Sequence, residues 1–342
     1  METMMAAVLV SPRRFEVREL PVPGCGPDEV LIRVDRCGIC GTDIHMFNGH
    51  YAMERLPIVP GHEFTGTISR VGDRAGRFAL GQRVVADINI GCGACYYCRR
   101  NEVLNCAEVR QVGISRDGAF AEYVAIPDRL VIPAPADAAP ATLALTEPIA
   151  CVVRAARKAK VRFGQSVVVL GAGPIGNLHI QMMRLVGAAP IIVVELSGER
   201  ARLAMQAGAD AVVSDPSQVK DTVLKMTGGR GADIVIESVG LPQLYAQAFD
   251  LIRPGGHVAA FGITGPGDSI PLALLDTVLK ENSVKGSVAG MGEDMHDALT
   301  LLLHGRFDVA PFVNTTYQLA AIQEAFETLK DRPGALKTQI AI

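Results

Sequence analysis

The chain of 342 residues has no excess of positive charge, no long apolar run and no compositionally biased tract. A formal net charge of −3 gives no electrostatic case for nucleic acid or an anionic membrane surface as partner. No apolar stretch reaches the roughly 18 residues that a membrane-spanning helix needs. The apolar segment Met4–Val10 is short for a secretory core and has no basic segment before it, so we expect a cytoplasmic protein. Internal repeats, low-complexity tracts and charge blocks are also missing, which removes solenoid, coiled-coil and disordered-tail readings.

What is present is globular and rich in turns: 49% hydrophobic residues, 20% charged and 35 glycines. The length suggests about two domains. In residues 1–148, short strand-like runs (Val8–Val10, Val30–Val34, Phe64–Val71, Arg83–Asp87, Tyr123–Ile126) alternate with Pro/Gly turns. They predict a small barrel or sandwich. From 149 the rhythm changes. Ile149–Lys160 reads as a helix, and the strands Val167–Leu170, Ile191–Val194, Ala211–Val213, Ile234–Ile236 and Val258–Phe261 then alternate with helical segments such as Glu199–Ala207 and Tyr245–Leu251. That alternation predicts a doubly wound parallel sheet over 149–287. Residues 288–342 carry a helix Met295–His304, an irregular Val313–Tyr317 and a helix Leu319–Leu329. They are too few for a core of their own and are expected to rejoin the first domain.

The chain is organised around Val167–Gly176. A buried strand runs into Gly171, Gly173, Pro174, Ile175 and Gly176, and a helix follows over Asn177–Leu185. Glycines here let the backbone approach a pyrophosphate held at the helix N-terminus. The next strand ends on Glu195, nineteen residues past Gly176, where a carboxylate accepts from the adenosine ribose and repels a 2′-phosphate. NAD is therefore the expected cofactor. Arg200, five residues on, can stack on adenine or meet a phosphate.

There are eight cysteines, and four of them fall at Cys92, Cys95, Cys98 and Cys106. Four thiolates at such spacing satisfy tetrahedral zinc and leave no open position, which predicts a structural zinc; an iron–sulfur cluster is the chemical alternative. A second constellation is sparser. Cys40, Thr42 and His45 lie in one segment, His62 and Glu63 in another, and Glu147 just before the change of domain. Together they offer the three protein ligands of a catalytic zinc, although a buried thiol, a turn histidine and a solvated carboxylate remain open as duller readings.

These segments resemble the zinc-dependent medium-chain dehydrogenase/reductase family, in its polyol and threonine dehydrogenase branch. The matching pieces are Gly38–His45, Gly61–Glu63, the four-cysteine lobe, Phe120–Tyr123, Glu147–Pro148, the glycine fingerprint and Val284–Gly286. The resemblance implies an α/β fold with a GroES-like β-rich catalytic domain (1–148 and 288–342) and a Rossmann NAD-binding domain (149–287). A catalytic zinc in the cleft would take Cys40 and His62 as ligands, with Glu63 a ligand or near neighbour. Glu147 would ligate directly or hold the metal-bound water.

The family also implies two zinc ions per chain and a proton relay through Thr42 and His45. It implies hydride transfer from a small-molecule secondary alcohol to NAD, and a homotetramer or homodimer. Two departures, Met46 after the relay histidine and Ser287–Gly290 after Val284–Gly286, argue against sorbitol itself. A sugar acid, a sugar phosphate, a vicinal diol or L-threonine remains as substrate. A non-catalytic nucleotide-binding protein of the same build would be free to lose Cys40, His62 or Glu147, and all three are present.

Overall fold

A computed structural model describes residues 2–329 and 334–342, so residues 1 and 330–333 of the expected first domain lie outside the described residues. The chain forms two compact units, Met1–Ala150 with Gly290–His304 and Phe312–Ile342, and Cys151–Ala289 with Gly305–Pro311. The expected boundaries at 148 and 288 fall close to these. The short segment 305–311, expected with the first domain, groups with the second unit. Gln181 holds it there, accepting from Asp308 N at 2.7 Å and donating to Asp308 O at 3.2 Å.

The first unit is β-rich. Thr3–Ser11 and Arg14–Pro21 form an antiparallel hairpin. The main sheet runs Thr315–Gln318, Thr338–Ala341, Glu29–Gly38, Glu63–Val71, Arg83–Ala86, Val131–Pro133, with Tyr123–Pro127 also paired to Glu29–Gly38. Its core includes a cluster of rings: Phe326 lies 4.9 Å from Phe15, 5.1 Å from Phe47 and 6.1 Å, edge-on, from Phe120. Such pairs add about 0.5–1.5 kcal/mol each beyond their buried area. Two expectations are corrected here. Val313–Tyr317 is not irregular, because Thr315–Gln318 pairs in parallel with Thr338–Ala341. The helix expected over Leu319–Leu329 is a 3₁₀ turn, Leu319–Ala321, followed by an α-helix, Ile322–Thr328.

The second unit holds a parallel sheet in the order Ala211–Val213, Ile191–Val194, Val167–Leu170, Ala232–Glu237, Ile252–Ala260, Ser283–Gly286. Val167–Leu170 is fully buried, as the central strand of a doubly wound sheet must be. Strand order reverses on either side of it, so the carboxyl end of Val167–Leu170 is the topological switch point where such sheets bind ligands. Leu170 stands in register with Val194 on one side and Glu237 on the other. Ser283–Gly286, which the periodicity did not reveal, is the exposed outer strand. Among the described residues no helix is long and apolar enough to cross a membrane.

Candidate active site and nucleotide loop

In the first unit, Glu29–Gly38 delivers the chain to Cys40, and a helix of seven residues, Gly41–Phe47, begins at once. The helix starts there because Asp43 folds back and its Oδ2 accepts from Cys40 N at 2.9 Å. Asp43 Oδ1 accepts from Gly61 N at 3.3 Å and lies 3.5 Å from His62 Nδ1. One buried carboxylate thus fixes both chain segments that carry the candidate ligands.

Cys40, His62 and Glu63 come together, each with one donor atom within 4.8 Å of the others. Gly38 makes room for the group, since a Cβ there would strike Glu63 Oε2. Lys337 Nζ lies 2.7 Å from that oxygen, and His62 Nδ1 faces the Asp43 carboxylate. A thiol, an imidazole and a carboxylate with donor atoms within 4.8 Å of one another form a donor set that fits a divalent ion of intermediate softness such as zinc. Burial alone would lower the pKa of His62. The Asp43 carboxylate and the Cys40 thiol overcome this and hold it well above the usual histidine range.

Two residues at this site were not singled out as functional in the sequence. Asp43 is one; its signal is its position three residues after Cys40, where a carboxylate caps the helix. Lys337 is the other, and no local pattern could have found it. Its ammonium is buried, donating to Glu63 Oε1 at 2.7 Å and to Ile39 O at 3.1 Å. Burial would lower the Lys337 pKa, but the negative charges of Glu63, Cys40 and Glu147 raise it above the ordinary lysine value. Glu147, buried in the first turn of the helix Thr146–Ala159, therefore stands near the group through Lys337 and is not among the three converging donors. Thr42 and His45 are half-buried, three positions apart on the Gly41–Phe47 helix.

The sulfurs of Cys92, Cys95, Cys98 and Cys106 likewise lie within 4.8 Å of one another. Backbone N–H groups already point at them, Cys95 N to Cys92 Sγ at 3.3 Å and Cys98 N to Cys95 Sγ at 3.5 Å. Backbone hydrogen bonds from Ala94 and Cys95 lower the Cys92 pKa to about 7, so this thiol is readily available as thiolate. Four soft ligands with amide support fit a closed metal site.

In the second unit, Gly171 has φ +89° and opens the loop after Val167–Leu170. A Cβ on Gly176 would run into the Gly171 carbonyl, so this tight strand-to-helix turn needs glycine at both ends. The helix Pro174–Leu185 follows, with Pro174 and Ile175 in its first turn. Glu195 is held by two backbone amides. Its Oε2 accepts from Ala172 N and its Oε1 from Ser197 N, both at 2.8 Å, and it is 9% exposed. Gly171, Gly173, Glu195, Leu196, Arg200 and Ser238 help line a cavity of about 410 Å³, within the range of small-ligand sites.

Both halves of the chain match known proteins. Residues 26–136 match the alcohol dehydrogenase GroES-like domain and residues 174–304 the zinc-binding dehydrogenase domain. The chain is similar to a sorbitol dehydrogenase of Halalkalibacterium halodurans, 33% identical over 320 residues and 92% of each chain. It is also similar to an L-threonine 3-dehydrogenase of Pyrococcus abyssi, 33% identical over 96% of each. Among solved structures, a zinc-binding dehydrogenase of Sinorhizobium meliloti bound to NADP shares 31% identity and a TM-score of 0.89 over the whole of both chains. A β-rich unit and a Rossmann-type unit with these motifs define an alcohol-type oxidoreductase. The chain belongs to the zinc-binding medium-chain dehydrogenase family.

Proposed function

We propose that the protein oxidises a secondary alcohol of a small hydroxylated molecule with NAD as hydride acceptor. A polyol, sugar acid, sugar phosphate or vicinal diol is the substrate class, with L-threonine the alternative suggested by the Pyrococcus relative. The observation that carries the reading is the convergence of Cys40, His62 and Glu63 within 4.8 Å.

In this reading Cys40 Sγ, His62 and Glu63 hold the catalytic zinc, and Glu147 orders the first layer around it. Zinc, when bound, supplies Lewis acidity that makes a substrate hydroxyl acidic near neutral pH. Asp43 keeps His62 in the tautomer that leaves the other ring nitrogen free for the metal. Lys337 balances the negative charge of the thiolate and carboxylates around it. Thr42 Oγ1 would accept the substrate proton, and His45, three positions on along the same helix, would carry it onward.

Gly171, Gly173 and Gly176 with the helix start at Pro174 cradle the pyrophosphate, and Glu195 favours NAD over NADP. Cys92, Cys95, Cys98 and Cys106 hold a second, structural zinc, giving two per chain. We further propose a cytoplasmic homodimer or homotetramer. Leu274, Leu275, Val278 and Leu279 are 70–73% exposed beside the outer strand Ser283–Gly286, an apolar face that a second copy of the chain would cover.

The test is a panel of sorbitol, 2,3-butanediol, gluconate, a sugar phosphate and L-threonine, each with NAD and NADP, followed by the absorbance of reduced cofactor. Metal analysis should return about two zinc ions per chain. Cys40→Ala and His62→Ala are expected to abolish turnover while leaving NADH binding intact. Variants as active as the wild type would refute the site.

A further inference from the structure

The Gly41–Phe47 helix carries His45 in its last turn, and the chain then doubles back, His50 N donating to His45 O at 2.8 Å. This turn sets the two imidazoles side by side, with ring centroids 6.4 Å apart and planes inclined at 48°. His45 is half-buried and His50 is exposed. The carboxylates closest to the pair in sequence are engaged elsewhere. Asp43 is turned toward Cys40, Gly61 and His62, and Glu54 is paired with Arg55. Arg13 is held by Asn48 and by the ring of Phe47.

Resting on the relay reading of Thr42 and His45, we propose that His50 is the outward half of a two-imidazole proton exit. His45 hands its proton through one water to His50, and His50 releases it to solvent. The exchange balances without any co-reactant. An N–H bond on His45 breaks as the water gains an O–H, and the same water gives up another O–H as an N–H forms on His50. A bent water hydrogen-bonded to two nitrogens holds them about 4.3–5.2 Å apart, a separation that rings with centroids 6.4 Å apart can present.

A proton on His50 also opposes a second one on His45. Burial and then the His50 charge both lower the His45 pKa, so the inner ring gives its proton up readily and returns to the neutral form. His50 is thus a positioning residue that acts through His45 and does not touch substrate.

The experiment compares zinc-loaded wild type, His50→Gln and His45→Gln. The imidazole C–H signals are titrated by NMR, and turnover with NAD is measured on whichever alcohol of the panel is oxidised fastest. For His50→Gln we expect the His45 pKa to rise by about half to one unit, the effect of removing a like charge at this distance. Turnover in dilute buffer should fall about 3–10-fold and recover when free imidazole is added. NADH affinity and melting temperature should not change.

An unmoved His45 titration overturns the proposal. So does full turnover of His50→Gln in dilute buffer while His45→Gln is slow, and in that case the relay survives. If His45→Gln turns over like the wild type with an unchanged pH profile, the relay itself falls and takes the proposal with it. If no alcohol is oxidised, the dehydrogenase reading fails, and the NMR titration alone decides whether the rings are coupled.

Discussion

Replacing His179 by leucine should make the protein more tolerant of acid. His179 is fully buried in the helix Pro174–Leu185, neither ring nitrogen has a hydrogen-bond partner, and the ring stands edge-on to Phe261 at 4.8 Å. Burial pushes its pKa down from 6.5 to about 3. In the unfolded chain the same imidazole accepts a proton below about pH 6.5. Between those values the unfolded state binds more protons than the folded one, so stability falls as the pH drops from about 6.5 toward 3.

From pH 8 to pH 4.5 this single group removes about 2.7 kcal/mol, two pH units at about 1.4 kcal/mol each. Leucine is near the ring in volume, favours helix and takes up no proton. It also removes two unpartnered nitrogens, a gain of about 1–3 kcal/mol at neutral pH. Urea unfolding followed by circular dichroism at pH 8 and pH 4.5 measures both effects. Acid also strips metal ligands, but it does so in both proteins, so the difference between the two acid losses isolates His179. A leucine variant that loses as much stability between pH 8 and 4.5 as the wild type would refute the reasoning.

Two further outcomes are expected. Cys95→Ser opens the four-thiolate lobe and should lower the melting temperature by about 5–10 °C, with loss of one zinc on metal analysis; a variant as stable as the wild type but inactive would mean the structural and catalytic metal sites are reversed. Glu195→Ala leaves the amides of Ala172 and Ser197 without their acceptor. NADH affinity should fall about 10–100-fold and the preference over NADPH should relax, read by cofactor fluorescence; unchanged, strict NADH selectivity would show that another group sets it.

The nucleotide-binding half was the more legible in the sequence, for a physical reason. A strand buried on both faces must be continuously apolar, so Val167–Leu170 and Ile191–Val194 announce themselves, and the glycines that end the first strand are required by close approach of the backbone. The β-rich half is written less plainly. Thr338–Ala341 is short and mixed in character, and it becomes a strand because Thr315–Gln318 and Glu29–Gly38 flank it. The Gly41–Phe47 helix begins with poor helix formers and depends on the Asp43 cap. Cys40, His62 and Glu63 could be nominated from their residue types and segments. Glu63 and Glu147 could not be ranked from sequence, because their separation from the thiol depends on tertiary packing. The cation between them belongs to a segment 274 positions further along the chain.

That last distance shapes how the molecule is born. A nascent chain that has emerged as far as residue 300 already carries Cys40, His62 and Glu63, yet the ammonium that faces them is still inside the ribosome. Until Lys337 arrives and Thr338–Ala341 zips onto Glu29–Gly38, the three donors confront one another with no internal counterion. The order of synthesis thus leaves a stretch of translation in which solvent and its dissolved cations alone answer these charges.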